Sequence, residues 1–306
     1  MYRKGALVSI SALAQLAAAG LYPGISKENH TCVLSDPILS CSEGADPSQV
    51  DTCCVETYGG LVLQTQYWNT YTGLESKGQL LPQYEWTIHG LWPDFCNGSY
   101  TQYCDLSRQY DPEPYPNTTN GEPDGTPVPP YKGEPIDRWF EPNGKTDVLE
   151  YMKKRWVGLG QPSWILWAHE YSKHATCFST FQEECYTTIA YYRTLPSWGW
   201  LSAASIRPSN TTAYSLSSIQ GALTQGFGEL PFVGCGGPKY NETEAGRGSD
   251  DNGGTVLNEI WYYYHVYGAS QRNQGVRVPA PDSFRTTCAK AKDAIWYYER
   301  TEGSEK

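Results

Sequence analysis

Alternating apolar and polar positions predict three β-strands in this chain. They lie at residues 60–68 (GLVLQTQYW), 85–91 (EWTIHGL) and 256–267 (VLNEIWYYYHVY), and all are rich in β-branched and aromatic side chains, which favour pleated structure. Pro93 is expected to end the second strand, because proline has no backbone N–H to donate. Residues 73–83 contain two glycines and a proline and are expected to form a loop.

Helical spacing of apolar residues predicts most of the remaining regular structure. We expect helices at Thr146–Trp156, from Ser163 onward, at Thr187–Leu195 and at 213–226, and a Gly/Asp-rich loop at 244–254. Residues 107–145 differ, because eight prolines fall between Pro112 and Pro135 and exclude regular ladders. We interpret this stretch as a surface insertion in one α+β domain, since related motifs lie on both sides of it.

The first residues have the pattern of a secretory signal. Arg3 and Lys4 precede an uncharged apolar stretch that ends in three alanines, so we expect a signal peptide at 1–19 and a mature domain at 20–306. No later segment predicts a membrane span. The chain also has ten cysteines, an even number that suits an oxidising compartment. Five N-glycosylation sequons add to this picture; they begin at Asn29, Asn97, Asn117, Asn210 and Asn241.

The charge balance is acidic. The formal net charge is −10 at pH 7, and loss of Arg3 and Lys4 with the signal makes it −12. A protein that grips nucleic acid near neutral pH normally shows a basic patch. At an acidic working pH the protein would carry less negative charge, since carboxylates titrate near about 4 and histidines near about 6.5. A soluble surface alone would also account for the charge.

Two short segments contain three of the five histidines. In the first, residues 86–94 (WTIHGLWPD), period-two alternation places Thr87 and His89 on one face of the strand. Gly90 leaves room for a close approach beside His89. A single strand histidine is more often structural than functional, so the second segment decides the interpretation.

The second segment, residues 169–177 (HEYSKHATC), follows an apolar, tryptophan-containing run. On a helix, His169 aligns with Lys173 and Glu170 aligns with His174, so four ionisable groups share about one turn. A solvated charged face is the ordinary explanation of such a cluster. The neighbouring apolar residues argue against it, because they place the segment at the border of a core.

A zinc site is one alternative for this segment, since His169-Glu170 begins the H-E-x-x-H motif. That motif needs its second histidine four residues after the first, so that both imidazoles share a face. Lys173 occupies that position here, and its cation would repel zinc. We therefore predict no metal and no other cofactor.

Two histidines, a lysine and a glutamate suit phosphodiester transesterification. A base takes the proton of the ribose 2′-hydroxyl, an acid protonates the departing 5′-oxygen, and cations stabilise the phosphoryl oxygens. One imidazole must begin neutral and the other charged, which predicts a bell-shaped pH profile. DNA has no 2′-hydroxyl and would not be cut.

At these residues the chain resembles the ribonuclease T2 family, the acid ribonucleases of fungi and the S-type ribonucleases of plants. The resemblance rests on both histidine motifs and extends from about Cys32 to about Trp296. It implies a central antiparallel sheet with helices around it, and an endoribonuclease of broad base specificity that makes 2′,3′-cyclic phosphates from single-stranded RNA. An acidic pH optimum is expected.

The resemblance also implies roles for individual residues. His89 and His174 would be the acid–base pair, with His174 the base in the family picture, although the sequence does not assign them. Glu170 and Lys173 would stabilise the phosphorane, and His169 would hold the phosphate. The remaining candidates would bind bases. Trp92, Asp94 and Tyr100 would form one site, with a preference for adenine, and Gln66 would belong to a second site.

Five disulfides are implied by the same resemblance. They are Cys32–Cys54, Cys41–Cys96, Cys53–Cys185, Cys104–Cys177 and Cys235–Cys288. We expect a monomeric glycoprotein in the extracellular space or the vacuolar lumen, with RNA as its partner. The alternative is a catalytically weak binding or cytotoxic glycoprotein on the same fold; it predicts the loss of a catalytic histidine or of Lys173, and both motifs are complete.

Overall fold

The computed structural model describes residues 32, 36–142, 144–180, 194–241, 243, 251–268 and 275–306. The predicted signal peptide and Asn29 lie outside these residues. So do Cys185, nearly all of the predicted helix at 187–195 and most of the predicted loop at 244–254.

The sheet of the described residues has seven strands. They are β1 (Leu61–Tyr67), β2 (Thr87–Asp94), β3 (Ala213–Tyr214), β4 (Phe232–Lys239), β5 (Gly254–His265), β6 (Val276–Val278) and β7 (Ile295–Trp296). Strands run in the order β2-β1-β5-β7-β3, and β4 and β6 also pair with β5. All pairs are antiparallel except β5 with β7, which are parallel. The predicted α+β class and the three predicted strands are confirmed.

The register of β1 with its neighbours defines two faces, because directly paired residues project to the same side. Leu63 pairs with Trp92 and Tyr263, and Tyr67 pairs with Glu259; we call this side the cavity face. The opposite side, which we call the core face, belongs to the largest apolar cluster, and its members include Ile88, Ile260 and Tyr262.

Strand β2 continues through Pro93 to Asp94, so the prediction that Pro93 ends the strand was wrong. Strand β2 lies at the end of the sheet order. An edge strand tolerates proline, because the missing N–H can face away from the neighbouring strand.

Four α-helices lie in the described residues: α1 (Thr146–Arg155), α2 (Ser163–Lys173), α3 (Ser197–Ala203) and α4 (Leu216–Phe227). The predictions for α1 and α2 are confirmed. The prediction at 213–226 begins too early, because Ala213–Tyr214 form β3. Leu149 of α1, Trp167 of α2 and Leu223 of α4 join the core-face cluster. Among the described residues, no helix has the length and apolar character that a membrane crossing requires.

Four of the five predicted disulfides are present: Cys32–Cys54, Cys41–Cys96, Cys104–Cys177 and Cys235–Cys288. The fifth, Cys53–Cys185, lies outside the described residues because Cys185 does. Two of the four attach segments next to the histidine motifs. Cys104–Cys177 holds the chain after α2, and Cys41–Cys96 holds the chain after β2.

Candidate active site

His89 lies at a β-bulge in β2. Thr65 of β1 pairs with Gly90, and the next residue, Gln66, pairs with Ile88, so His89 is the extra residue between them. A bulge interrupts the alternation of side chains and re-aims the bulged residue. Without the bulge, simple alternation would place His89 on the same face as Leu91, which is buried in the core-face cluster. The bulge instead lets His89 line the same cavity as Trp92.

Three polar side chains contact the imidazole of His89. Its Nδ1 lies 2.5 Å from Glu259 Oε1 and its Nε2 lies 2.5 Å from the Tyr67 hydroxyl. Glu170 Oε1 is 3.4 Å from Nε2. Burial alone would lower the pKa of His89, but the carboxylates of Glu170 and Glu259 outweigh it and raise the pKa to about 9. The imidazolium is therefore the stable form at acidic and neutral pH.

Glu170 lies at the centre of the site and is fully buried. Its Oε2 accepts a hydrogen bond of 2.7 Å from Trp92 Nε1. Burial would raise its pKa, but His89, His174 and His169 lower it to about 2. The carboxylate approaches the backbone of Gly90 so closely that a Cβ there would overlap Glu170 Oε2.

Helix α2 ends at Lys173, and His174 follows at its C-terminus. The His174 backbone N–H still donates to the carbonyl of Glu170 at 3.1 Å, so the predicted alignment of these two residues is preserved. The imidazole is buried and stacks on Trp92 with 4.9 Å between ring centroids. Burial lowers the pKa of His174 well below its ordinary value; Lys173, His169 and His89 add to this effect, and Glu170 opposes it.

His169 is held by the proline-rich insertion. Its Nδ1 lies 2.7 Å from Asp111 Oδ2, and the same oxygen accepts a hydrogen bond of 2.9 Å from the Tyr103 hydroxyl. The insertion also supplies the carbonyl of Tyr115, to which Lys173 Nζ donates at 3.0 Å. The predicted insertion therefore also reaches the site, where its Asp111 is completely buried. Burial lowers the pKa of Lys173, against the opposing effect of Glu170 and Asp111.

The three histidines, Glu170 and Lys173 line one cavity of about 480 Å³. Of the predicted residues, it brings together His89, Trp92, Asp94, Tyr100, His169, Glu170, Lys173 and His174. Tyr100 and Phe284 are exposed aromatic side chains on its wall, 61% and 44% accessible. Asp94 is half-buried there, and burial raises its pKa to about 8.

Gln66 is the predicted site residue that the structure does not bring to this cavity. It pairs with Ile88 and Ile260 and therefore points to the core face. Its side chain is fully buried; Nε2 donates to the Leu195 carbonyl at 3.0 Å, and Oε1 accepts from the Ser197 hydroxyl.

His169, Glu170 and His174 also present possible metal ligands, with their ligand atoms within 4.8 Å of one another. The Lys173 ammonium lies on the same turn of the chain and also lines the cavity. The positive charge of Lys173 disfavours the binding of a metal cation nearby.

Sequence reasoning missed three contributors to the site: Tyr67, Asp111 and Glu259. Tyr67 and Glu259 lie inside correctly predicted strands, and their pairing with each other is what places them beside His89. Asp111 carries no local signal, since it lies in a stretch whose composition indicates only an irregular loop.

Comparison with known proteins gives the class of this site. Residues 59–280 match the model of the Ribonuclease T2 family. Ribonuclease Trv of Hypocrea rufa is 34% identical over 281 residues, which cover 87% of this chain and 97% of that protein. The chain belongs to the ribonuclease T2 family, a family of endoribonucleases.

Two further relatives agree in sequence and in fold. A ribonuclease T2-like protein of Aspergillus fumigatus is 32% identical over 269 residues; the match covers 83% of this chain but only 54% of that longer protein. The crystal structure of Actibind, described as a T2 ribonuclease, superposes with a TM-score of 0.62 at 28% identity, covering 87% of this chain and 97% of that one.

Proposed function

We propose that the protein is a metal-independent endoribonuclease that cleaves RNA by transesterification, with His89 as the acid and His174 as the base. The observation that carries this assignment is the opposite environment of the two imidazoles. Two carboxylates stabilise the charged form of His89, whereas burial and neighbouring cations favour neutral His174. General acid–base catalysis needs one partner in each form.

In the first step, neutral His174 takes the proton of the 2′-hydroxyl and the 2′-oxygen attacks phosphorus. The bond from phosphorus to the 5′-oxygen breaks, and His89 donates its proton to that oxygen. The products are a 2′,3′-cyclic phosphate and a chain with a free 5′-hydroxyl. Lys173 is the cation for the phosphoryl oxygens, since its ammonium has three donors and the Tyr115 carbonyl accepts one.

Glu170 acts indirectly in this scheme. As an anion it would repel phosphoryl oxygens, so its effect on the transition state runs through the proton it helps to keep on His89 and through Trp92, which it fixes in place. His169, oriented by Asp111, is the further phosphate contact.

Base recognition is assigned to aromatic and acidic side chains that line the cavity, among them Trp92, which also contacts His89 and His174. Trp92 and Tyr100 supply aromatic faces, and base stacking on such faces is worth about 1–3 kcal/mol per base. With its raised pKa, Asp94 is a neutral acid below about pH 8. A neutral carboxyl both donates and accepts, which matches the amine and ring nitrogen that adenine presents side by side.

The pH dependence follows from these groups and from the net charge. Cleavage falls as pH drops through the lowered pKa of His174, because the base becomes protonated, and as pH rises through about 9, where His89 loses its proton. Within that window an acidic protein repels RNA less at lower pH, since its carboxylates are more neutral. We therefore expect KM to rise with pH and the optimum of kcat/KM to lie on the acidic side.

Export through the secretory pathway is part of the same proposal. It is supported by the signal-like residues 1–19, by four disulfides and by the exposure of Asn97, Asn117, Asn210 and Asn241. Asn97 lines the cavity, so a glycan there would restrict bulky substrates.

The test is cleavage of a short RNA and of its DNA counterpart between pH 3.5 and 9 in the presence of EDTA. We expect RNA-only cutting with cyclic phosphate products, and we expect His89→Ala and His174→Ala to lose nearly all of this activity. Loss of activity with EDTA would point to a metal at His169, Glu170 and His174 instead. The absence of RNA cleavage at every pH would favour a binding protein.

A further inference from the structure

Glu259 is the residue whose position the proposed mechanism leaves unexplained. It lies in the middle of β5, paired with Tyr67 of β1 and Gly234 of β4. Its side chain is only 18% exposed, and within the described part of the chain its carboxylate forms no ion pair with a lysine or arginine. It meets His89 Nδ1 at 2.5 Å, within hydrogen-bonding reach, and the hydrogen bond is charge-assisted when His89 is protonated.

The groups around His89 divide between its two nitrogens. Glu259 approaches Nδ1 from β5, whereas Glu170 approaches Nε2 from α2 at 3.4 Å. Tyr67 of β1 stacks on the ring with 3.7 Å between centroids and places its hydroxyl at Nε2. Trp92 meets the ring edge-on at 4.6 Å. Nε2 is thus the nitrogen beside Glu170, and Glu170 also lines the cavity. Nδ1 is held by Glu259 of β5.

We propose that Glu259 is the positioning residue of His89: its carboxylate accepts the Nδ1 proton, fixes the orientation of the ring and keeps the imidazole in its proton-donating form. The proposal rests on the assignment of His89 as the acid. A carboxylate behind an imidazole fixes its tautomer and stabilises the imidazolium. Glu259 is not among the residues that line the cavity, so in this proposal it acts through His89.

The asymmetry between the two histidines supports this role. Both rings are largely enclosed, and burial alone would lower the pKa of each. Glu170 raises the pKa of both imidazoles, and its direct contact with His89 Nε2 accounts for part of the difference between them. Glu259 contributes to the raised pKa of His89, whereas the main further influences on His174 are cations. Tyr67 stays neutral, because burial and both carboxylates raise its pKa far above the usual range.

Glu259→Gln keeps the shape of the side chain and removes its charge. We expect the alkaline limb of the kcat/KM profile on a dinucleoside phosphate to move down by at least about one pH unit. Relative to pH 5, where His89 remains protonated in both proteins, a shift of one unit from about 9 makes the loss about two-fold larger at pH 8 and about nine-fold larger at pH 10. Glu259→Asp should restore part of the shift.

Three controls separate this role from a structural one. Glu299→Gln removes the same charge from an exposed residue that bonds Asn210, and it should leave the limb in place. Tyr67→Phe keeps the ring at His89 but removes the hydroxyl. In a His89→Ala background, Glu259→Gln should cause no further loss, because the two residues act as one unit.

A second measurement keeps this inference distinct from the proposed function. Titration of His89 by NMR in the wild type and in Glu259→Gln reports the pairing even if the protein cleaves nothing. An equal loss of activity at every pH, an additional loss in the His89→Ala background, or an unchanged titration of His89 would each overturn the role of Glu259. If the wild type is inactive but the NMR titration of His89 differs between the wild type and Glu259→Gln, only the proposed function is overturned.

Discussion

Gly90→Ala tests the central contact of the site. The Gly90 backbone does not adopt the left-handed conformation that would strain alanine, so the effect of the substitution is purely steric. The added Cβ would overlap Glu170 Oε2, and it would lie 2.7 Å from Trp92 Nε1 and 2.8 Å from Glu170 Cδ. Strand β2 and helix α2 must therefore separate, or the carboxylate must leave Trp92.

The magnitude follows from what the methyl group displaces. Loss of a buried hydrogen bond to a charged group costs about 1.5–3 kcal/mol, and overpacking in a close-packed region costs about 1–3 kcal/mol. We expect Gly90→Ala to lower the free energy of unfolding by roughly 3–6 kcal/mol, equivalent to a fall in Tm of roughly 10 °C. Because Glu170 also stabilises the charge on His89, and misplacement by about 1 Å can cost 100-fold, kcat/KM should fall by about that factor.

The assay is thermal unfolding together with RNA cleavage at a temperature where both proteins are folded. Gly221→Ala is the matched control, since Gly221 lies in α4 and a Cβ there meets nothing within 4 Å. Alanine at such a helical position should stabilise by about 0.4–1 kcal/mol. A Gly90→Ala protein with the Tm and the kcat/KM of the wild type would refute the placement of Glu170 against β2.

Three further predictions address neighbouring groups. Asp111→Ala leaves the His169 Nδ1–H and the Tyr103 hydroxyl without their acceptor, so urea unfolding should show a loss of roughly 2–4 kcal/mol and KM should rise; unchanged values would contradict the role of the insertion. The stability that the protein gains from the lowered pKa of Glu170 is present above pH 4.5 and is lost as pH falls towards about 2. Glu170→Gln should therefore flatten the acid limb of a plot of stability against pH. A limb as steep as that of the wild type would contradict the ion pair between Glu170 and the histidines. Phe284→Leu should raise KM for dinucleotides about five-fold or more if a base stacks there, and an unchanged KM would remove Phe284 from the binding wall.

Sequence reasoning succeeded where the information is local. Strands β1, β2 and β5 follow from side-chain alternation, and α1 and α2 follow from helical spacing. The cluster at 169–174 could be predicted because one helical turn brings its members together without help from the rest of the chain. The relation between Glu170 and His174 is of this kind, and it survives even though α2 ends one residue before His174.

The second base site shows why local patterns are not sufficient. Strand β1 is buried on both sides over its first six residues, so its composition does not reveal which side faces the cavity. Gln66 could be assigned to the core face only from its pairing with Ile88 and Ile260. The bulge at His89 has the same origin, because it exists only in the register of β2 against β1.

The difference between His89 and His174, the proposed acid and base, depends on such long-range pairing. Glu259 is 170 residues from His89 along the chain, and β1 lies between their strands in the sheet. The bulge turns His89 onto the cavity face, and the pairing of Tyr67 with Glu259 puts a phenol and a carboxylate beside its ring. In the proposed mechanism the motif residues therefore specify which groups react, whereas the register of β2, β1 and β5 specifies which histidine holds the proton.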